Sequence, residues 1–293
     1  MTPRLERVGG SFEHEGHTLA YDIVGEGART VVLTHGLLMS RKMHKPLSRR
    51  LAERGYRVVS LDFLGHGESD RPADMTLYSM QSFGRAILAL LDHLGVEQAV
   101  IQGTSLGANS TLEAAVVAPE RIRGMVIEMP VLDNAILGAA ATFLPFMLAM
   151  RFAAPALRAV NAVANLMPTS RVPAIDMLMD FPRDPPDSSL AVLSGLFFGR
   201  IGPPTEVRRT IEVPALVVGH PNDPIHPLTD SDELARELPN ARLVAAESIV
   251  EMRVRPERLT AEIAEFVDTC WVVAKPVRKR AAAKPRTRKR SAA

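Results

Sequence analysis

The side chain best placed to do chemistry is the hydroxyl of Ser105, at the centre of Gly103-Thr104-Ser105-Leu106-Gly107. Before it stands the apolar run Ala99-Val100-Ile101-Gln102, and after it a helix-like segment from Ala108 to Ala118. The order is strand, sharp turn, helix. Glycines on both sides let the chain bend tightly and let strand and helix approach closely, so the hydroxyl projects from the turn instead of packing away. A serine so placed is suited to nucleophilic attack on a carbonyl, provided a base lies beside it. The five-residue pattern also fits an ordinary Gly-rich turn; the flanking strand and helix favour the nucleophile.

The elements that must hold this serine alternate in type. Phe12 to Val24 reads as a hairpin with Gly16 in its turn, and Thr30 to Thr34 as the first buried strand. Tyr56 to Asp62 reads as another strand, with a helix between the two around Lys45 to Arg54. A helix from about Ser79 to Leu94, the strand at Ala99, the turn and its helix, and a strand from Met125 to Met129 follow. Pro214 sets off a short strand at Ala215 to Gly219, Pro239-Asn240 another at Arg242 to Ala245, and a helix runs from about Pro256 to Val272. Short strands alternating with helices predict an α/β fold with a mostly parallel, doubly covered sheet. In such sheets chemistry collects at the carboxyl ends of the strands.

Between residues 131 and 204 the pattern changes, which predicts an inserted helical cap on a core made of residues 1–130 and 205–273. Ala135 to Met150 is nearly all apolar, with Pro145 inside it, and Arg151 cuts the run short of the roughly 20 residues a bilayer span needs. No transmembrane span is therefore expected. Half of the 22 prolines fall between Pro168 and Pro227, predicting an irregular exit from the insertion. An apolar, Met-bearing lid suits a small lipophilic substrate, because thioether side chains adapt to several shapes; ordinary core helices would read the same way.

Charge divides the chain. From Lys275 onward there are nine Lys or Arg and no acid, so positions 1 to 274 hold 26 basic against 33 acidic residues, a net of −7. An acidic body argues against nucleic-acid binding by the folded part. Residues 274–293, dominated by like charges, Ala and Pro, predict a disordered basic tail able to touch an anionic partner nonspecifically or simply to aid solubility. The single Cys270 excludes an intrachain disulfide framework, and no charged-then-apolar leader opens the chain. Both fit a cytoplasmic protein. No metal site is indicated, since no two histidines sit three or four apart on one helix and no cysteines cluster.

Three motifs together resemble the α/β-hydrolase superfamily over nearly all of residues 10 to 272: the serine turn, Thr34-His35-Gly36-Leu37 after the first buried strand, and Asp62-Phe63-Leu64-Gly65-His66-Gly67-Glu68-Ser69-Asp70 after the next. The resemblance implies Ser105 as nucleophile, the backbone N–H groups of Leu37 and Leu106 as an oxyanion hole, and residues 131–204 as the cap. His35 and His66 read as structural loop members. Asp223, in Gly219-His220-Pro221-Asn222-Asp223-Pro224-Ile225-His226-Pro227, matches the superfamily's acid loop, although an Asp beside proline also marks a plain turn. Asp133, four residues past Met129, occupies a position some members use for the acid and ranks second. Hydrolysis by such a site needs water and no cofactor.

The pattern breaks at the base. Members of the superfamily carry a histidine after the last strand, and here that loop reads Ala246-Glu247-Ser248-Ile249-Val250-Glu251-Met252-Arg253, with none; His226 is the last histidine in the chain. Three readings stay open. His226, three residues past Asp223, serves as a relocated base in a carboxylic ester hydrolase. Alternatively the chain binds an apolar ligand without turning it over. In the third, Glu247 or Glu251 acts as base for other chemistry, which requires burial to raise its pKa toward neutrality. The intact serine turn favours the first. His14, His17, His44 and His93 read as surface or turn residues, and His220 as a core or loop residue.

Overall fold

The structure, a computed structural model, describes residues 6–168, 179–249 and 251–272. Eight strands form one sheet in the order β1-β2-β4-β3-β5-β6-β7-β8. They are β1 (Arg7–His14), β2 (His17–Val24), β3 (Thr30–Thr34), β4 (Arg57–Leu61), β5 (Ala99–Thr104), β6 (Ile122–Glu128), β7 (Ala215–Gly219) and β8 (Ala241–Ala245). The first two pair antiparallel, as do β2 and β4, and every pairing from β4 through β8 is parallel. The expected sheet is present. The third strand is buried at every residue, because a parallel sheet covered on both faces needs apolar side chains on both sides of the pleat.

Alternation assigns the two faces. Val32, Ile101, Ile127 and Val217 point into a cluster shared with α2 (Met80–His93), α3 (Leu106–Val117) and α7 (Leu228–Glu237). Their neighbours Val31, Leu33, Val100, Val126 and Leu216 point the other way, onto α1 (Lys45–Glu53) and α8 (Glu257–Val272). The third helix is buried along ten consecutive residues, Leu106 to Ala115, so it admits mostly small side chains. Its Ser110 and Thr111 hydroxyls donate back to the Leu106 and Gly107 carbonyls, both at 2.7 Å, which satisfies them without outside partners.

Several elements differ from expectation, and the first strand of the hairpin begins at Arg7, five residues before Phe12. The sixth strand starts at Ile122, three residues earlier than Met125, where it pairs with Ala99, and the Arg123 side chain lies over the Trp271 ring, 4.6 Å from the centroid. Within the proline-rich stretch the chain forms α6 (Pro186–Phe197), since Pro at the first helical position has no N–H to lose. His44 is buried and not superficial: its Nε2 lies 3.0 Å from the Thr34 carbonyl.

The loop after β4 is organised by Asp62, fully buried, which accepts from the backbone N–H of Arg41 at 2.6 Å and of Glu68 at 2.8 Å and pairs with the Arg41 guanidinium. The guanidinium also meets Asp22 and Glu68, each at 2.7 Å. Burial opposes its charge, and these three carboxylates outweigh that and hold its pKa above the ordinary arginine value. Removing one partner of a buried pair leaves an uncompensated charge, so Asp62→Ala is expected to cost about 3 kcal/mol or more in urea unfolding, with Asp22 limiting the loss. A midpoint within experimental error of the unsubstituted chain would show the network to be energetically idle.

From Met129 the chain leaves the sheet and returns at Ala215, passing through α4 (Ile136–Phe152), α5 (Ala154–Leu166) and α6. This is where residues 131–204 were expected to form a cap; the tail 274–293 lies outside the described residues, as do 169–178 within the insertion. A small cluster of Leu38, Met147, Met150 and Leu193 joins these helices to the loop after β3.

Candidate active site

The fifth strand delivers Ser105 to the carboxyl edge of the sheet with φ 53° and ψ −107°, a backbone conformation that side-chain-bearing residues rarely adopt. Such strain costs about 1–3 kcal/mol and persists only where the surroundings enforce it. Here they do. The Ser105 N–H donates to the Glu128 carbonyl at 2.9 Å, and its carbonyl accepts from the Asn109 N–H at 3.1 Å. The two glycines of the turn are required by close approach: a Cβ on Gly103 would collide with the Gly107 backbone, and one on Gly107 with the Thr34 carbonyl.

His226 meets the serine. Its Nε2 lies 2.9 Å from Ser105 Oγ, and its Nδ1 lies 2.9 Å from Asp223 Oδ2. With Nδ1–H donating to the carboxylate, Nε2 is left with a lone pair to accept the serine proton. The other oxygen, Asp223 Oδ1, accepts the backbone N–H groups of Ile225 at 2.8 Å and His226 at 3.0 Å. Asp223 is thus at once the turn former and the carboxylate that orients the imidazole: the turn it makes is what places a residue three positions later against its own side chain. Burial pushes the Asp223 carboxyl up, but the hydrogen bond and charge of His226 and the two N–H groups outweigh it, and the net shift is downward. The group stays ionised.

His35 ties the two loops beside the serine together. Its Nδ1 lies 2.8 Å from the Gly36 carbonyl, and its Nε2 accepts the Phe63 N–H at 3.0 Å. The His66 ring lies 4.9 Å from it at a tilt of 52°, and complete burial holds His66 well below its ordinary pKa and therefore neutral. Around Ser105 the backbone N–H groups of Gly36 and Gly107 are taken, by Met43 Sδ at 3.3 Å and the His35 carbonyl at 3.1 Å. Those of Leu37 and Leu106 have no acceptor among the described residues. They are the two the sequence singled out.

The other expected candidates lie elsewhere. Asp133 is exposed, at the entry to the insertion, and makes no contact with His226 among those described. Glu251 is buried but accepts from Arg258 Nε and Nη2, each at 2.8 Å, and from the Glu247 N–H; the arginine holds its pKa down, opposite to what a base needs. The Glu247 side chain is 72% exposed beside the same arginine. Neither glutamate reaches Ser105, so the carboxylate-base reading has no geometric support. His220, fully buried, bonds through Nδ1 to the Ser248 carbonyl at 3.1 Å and lies against Glu128, as a core residue.

Above Ser105 lies a cavity of about 300 Å³ whose walls are almost wholly apolar, including Leu37, Leu106, Val131, Phe143, Met147 and Leu193. Two polar residues not anticipated from the sequence fix its roof. Asn109, one turn past the serine and fully buried, donates through Nδ2 to the carbonyls of Val131 at 2.6 Å and Ile201, and accepts the Val131 N–H at 3.1 Å, pinning entry and exit of the insertion together. Asp230 on α7, also fully buried, accepts the N–H of Leu132 at 2.6 Å and of Asn134 at 3.1 Å. An amide side chain one turn past Ser105 was the available signal for Asn109. Its partners, being distant backbone groups, leave no trace in the sequence.

Asn109→Ala strands two half-buried carbonyls and an N–H, at up to about 1–3 kcal/mol for each unsatisfied group before relaxation. The expected result is a chain less stable by about 2 kcal/mol or more, with KM for an apolar ester raised more than kcat is lowered. Unchanged KM and stability would show that the insertion is held by other contacts.

Comparisons with known proteins agree with this architecture. Residues 29–248 match the model of the alpha/beta hydrolase fold family. A putative non-heme haloperoxidase of Mycobacterium phage D29 is 34% identical over 113 residues, 39% of this chain and 40% of that protein. A 2-hydroxy-6-oxononadienedioate/2-hydroxy-6-oxononatrienedioate hydrolase of Pseudomonas putida is 37% identical over 112 residues, 37% of this chain and 39% of that one. The chain thus matches about two fifths of the length of these relatives. The enol-lactonase of Burkholderia xenovorans LB400 superposes with a TM-score of 0.72 at 21% identity, covering 88% of this chain and all of that structure, a likeness of fold. Because the family match takes in the loop after β3, the serine turn and the acid loop alike, the chain belongs to the α/β-hydrolase fold family.

Proposed function

We propose that this chain is a serine hydrolase that cleaves a lipophilic small-molecule carboxylic ester through an acyl-enzyme. The observation that carries the reading is the unbroken relay from Ser105 Oγ to His226 Nε2 and from His226 Nδ1 to Asp223 Oδ2, each step 2.9 Å. In this mechanism Ser105 Oγ attacks the ester carbonyl carbon while its proton passes to Nε2. The carbonyl oxygen becomes an oxyanion, received by the N–H groups of Leu37 and Leu106, and such donors contribute about 3–4 kcal/mol each in the transition state. Collapse expels the alcohol, which takes the proton from the imidazolium. Water then enters, loses a proton to Nε2 and attacks the acyl carbon, releasing the acid and restoring Ser105. Asp223, held ionised, stabilises the imidazolium at both stages without itself being protonated.

The apolar cavity supports a lipophilic acyl or alcohol group, and the similarity to a 2-hydroxy-6-oxononadienedioate/2-hydroxy-6-oxononatrienedioate hydrolase makes hydrolysis the chemistry to test first. An intact relay beneath a strained serine is not needed to bind a ligand passively, which favours turnover over a binding relic. The test is steady-state hydrolysis of p-nitrophenyl esters from acetate to octanoate. Turnover is expected, with kcat/KM rising as the chain lengthens until the cavity is filled. Absence of turnover across the series would remove the ester assignment.

A further inference from the structure

Beneath the serine turn lies a chain of polar side chains that the relay does not use. Glu128, the last residue of β6, is buried, as are Gln102, Thr104 and His220. Its Oε2 accepts the Thr104 hydroxyl at 2.5 Å and lies 3.4 Å from the Gln102 amide nitrogen, and its Oε1 lies 3.4 Å from His220 Nε2. His220 in turn donates through Nδ1 to the Ser248 carbonyl at 3.1 Å. Thr104 precedes the nucleophile, His220 opens the loop that carries Asp223 and His226, and Ser248 lies in the loop after β8. The chain thus crosses the carboxyl ends of β5, β6, β7 and β8 in turn. Burying a carboxylate and an imidazole where apolar side chains would pack costs free energy. Cohesion of the sheet does not require it, since backbone pairing already joins these four strands.

We propose that Glu128 and His220 are positioning residues for the base: together they fix how the acid loop leaves β7, and thereby the approach of His226 to Ser105. The proposal rests on the reading of Ser105, His226 and Asp223 as a catalytic relay. Asp223 and His226 are tied to each other within one turn, by a side-chain contact of 2.9 Å and by the N–H groups of Ile225 and His226, so they move as a unit. What brings that unit to Ser105 is the path of the chain from Gly219 through His220, Pro221 and Asn222, the last with φ 59°. Backbone pairing carries β7 as far as Gly219, whose carbonyl accepts the Ala246 N–H at 2.8 Å. The next residue, His220, is held through its side chain, by Glu128 on one side and Ser248 on the other. On the serine side Glu128 acts twice, its carbonyl accepting the Ser105 N–H at 2.9 Å and its carboxylate the Thr104 hydroxyl. One residue therefore holds the turn of the nucleophile and, through His220, the loop of the base. Neither Glu128 nor His220 lines the cavity above Ser105, so their effect falls on kcat and not on KM.

The test is the rate at which a fluorophosphonate labels Ser105, a readout that needs no ester substrate, measured beside kcat and KM for an apolar ester. His220→Leu keeps the bulk and removes both ring nitrogens. It is expected to slow labelling and kcat by about tenfold or more, within the range that a displacement of roughly 1 Å brings, with KM changed by less than about twofold. Glu128→Leu should do the same. Glu128→Gln should recover most of that loss, since its amide oxygen accepts from Thr104 and its amide nitrogen faces His220 Nε2. Introduced into His226→Ala, His220→Leu should change the labelling rate by less than about twofold, because the base it positions is gone. Far-UV circular dichroism and the urea midpoint establish how much of each variant is folded. His220→Asn, whose amide keeps the Ser248 bond and stops short of Glu128, is the milder probe where leucine prevents folding, and should slow labelling in the same direction. A purely structural role would lower the urea midpoint and leave the labelling rate of the folded chain unchanged. That result, or the same loss with and without His226, or Glu128→Gln as slow as Glu128→Leu, overturns the proposal. An unsubstituted chain that is not labelled removes the relay and this proposal with it, whereas labelling without ester turnover removes the ester reading alone.

Discussion

Ser105→Ala is expected to lower kcat/KM for ester hydrolysis by at least about 10⁴-fold while changing the free energy of unfolding by no more than about 1 kcal/mol. The two halves of the expectation have separate causes. The hydroxyl is the atom that bonds to carbon, so nothing else in the cavity can substitute for it, and the residual rate is what binding and the Leu37 and Leu106 N–H groups supply to attack by water. Stability barely moves, because Ala at 105 keeps the backbone bonds to Glu128 and Asn109 and loses only the contact from Oγ to His226. Ester turnover that survives in the alanine variant assigns the chemistry to another group. A large fall in melting temperature would show that the side chain holds the turn.

Removing the base has a comparable reach. His226→Ala is expected to reduce kcat by at least about a hundredfold, the lower range of general-base effects, with little change in KM, since the imidazole is not part of the apolar cavity wall. General-base catalysis through the Nε2 lone pair predicts an acid limb in the kcat/KM profile of the unsubstituted chain. Asp223 does not produce this limb. Its carboxyl is depressed in the folded chain, so its charge, and the stability that goes with it, is present above the ordinary carboxylate range and is lost only as the pH drops through the lowered value. In the His226→Ala variant the same limb should be absent. A variant that retains both the rate and the acid limb would locate the base elsewhere.

Strands such as Val31 to Leu33 and Val100 to Ile101, bounded by loops with Gly, Asp and Pro, could be read directly because full burial on two faces leaves an unbroken apolar run. The serine turn was legible because close approach demands its glycines: a Cβ on Gly103 would meet the Gly107 backbone, and one on Gly107 the Thr34 carbonyl of the neighbouring strand β3. The base was not decidable. Whether His226 reaches Ser105 depends on where β7 ends relative to β5, two strands away, and on the turn that Asp223 makes with the N–H groups of Ile225 and His226. Spacing alone allowed both a relocated imidazole and Glu247 or Glu251. What removes the glutamates is Arg258, from the following helix, whose pairing with Glu251 no local pattern announces. The helix α4 defeated its pattern for the opposite reason: apolar residues nearly all round it give no stripe, so sequence could not say that one side of it is exposed.

The central claim is that His226 activates Ser105, and the rate of covalent labelling by a fluorophosphonate, followed by intact-mass spectrometry and site mapping, tests it most directly. One adduct per chain on Ser105 is expected, forming about a hundredfold or more slowly in His226→Ala and at the unsubstituted rate in Glu247→Gln. Rapid labelling of Ser105 in His226→Ala, or no labelling of the unsubstituted chain, would contradict the account.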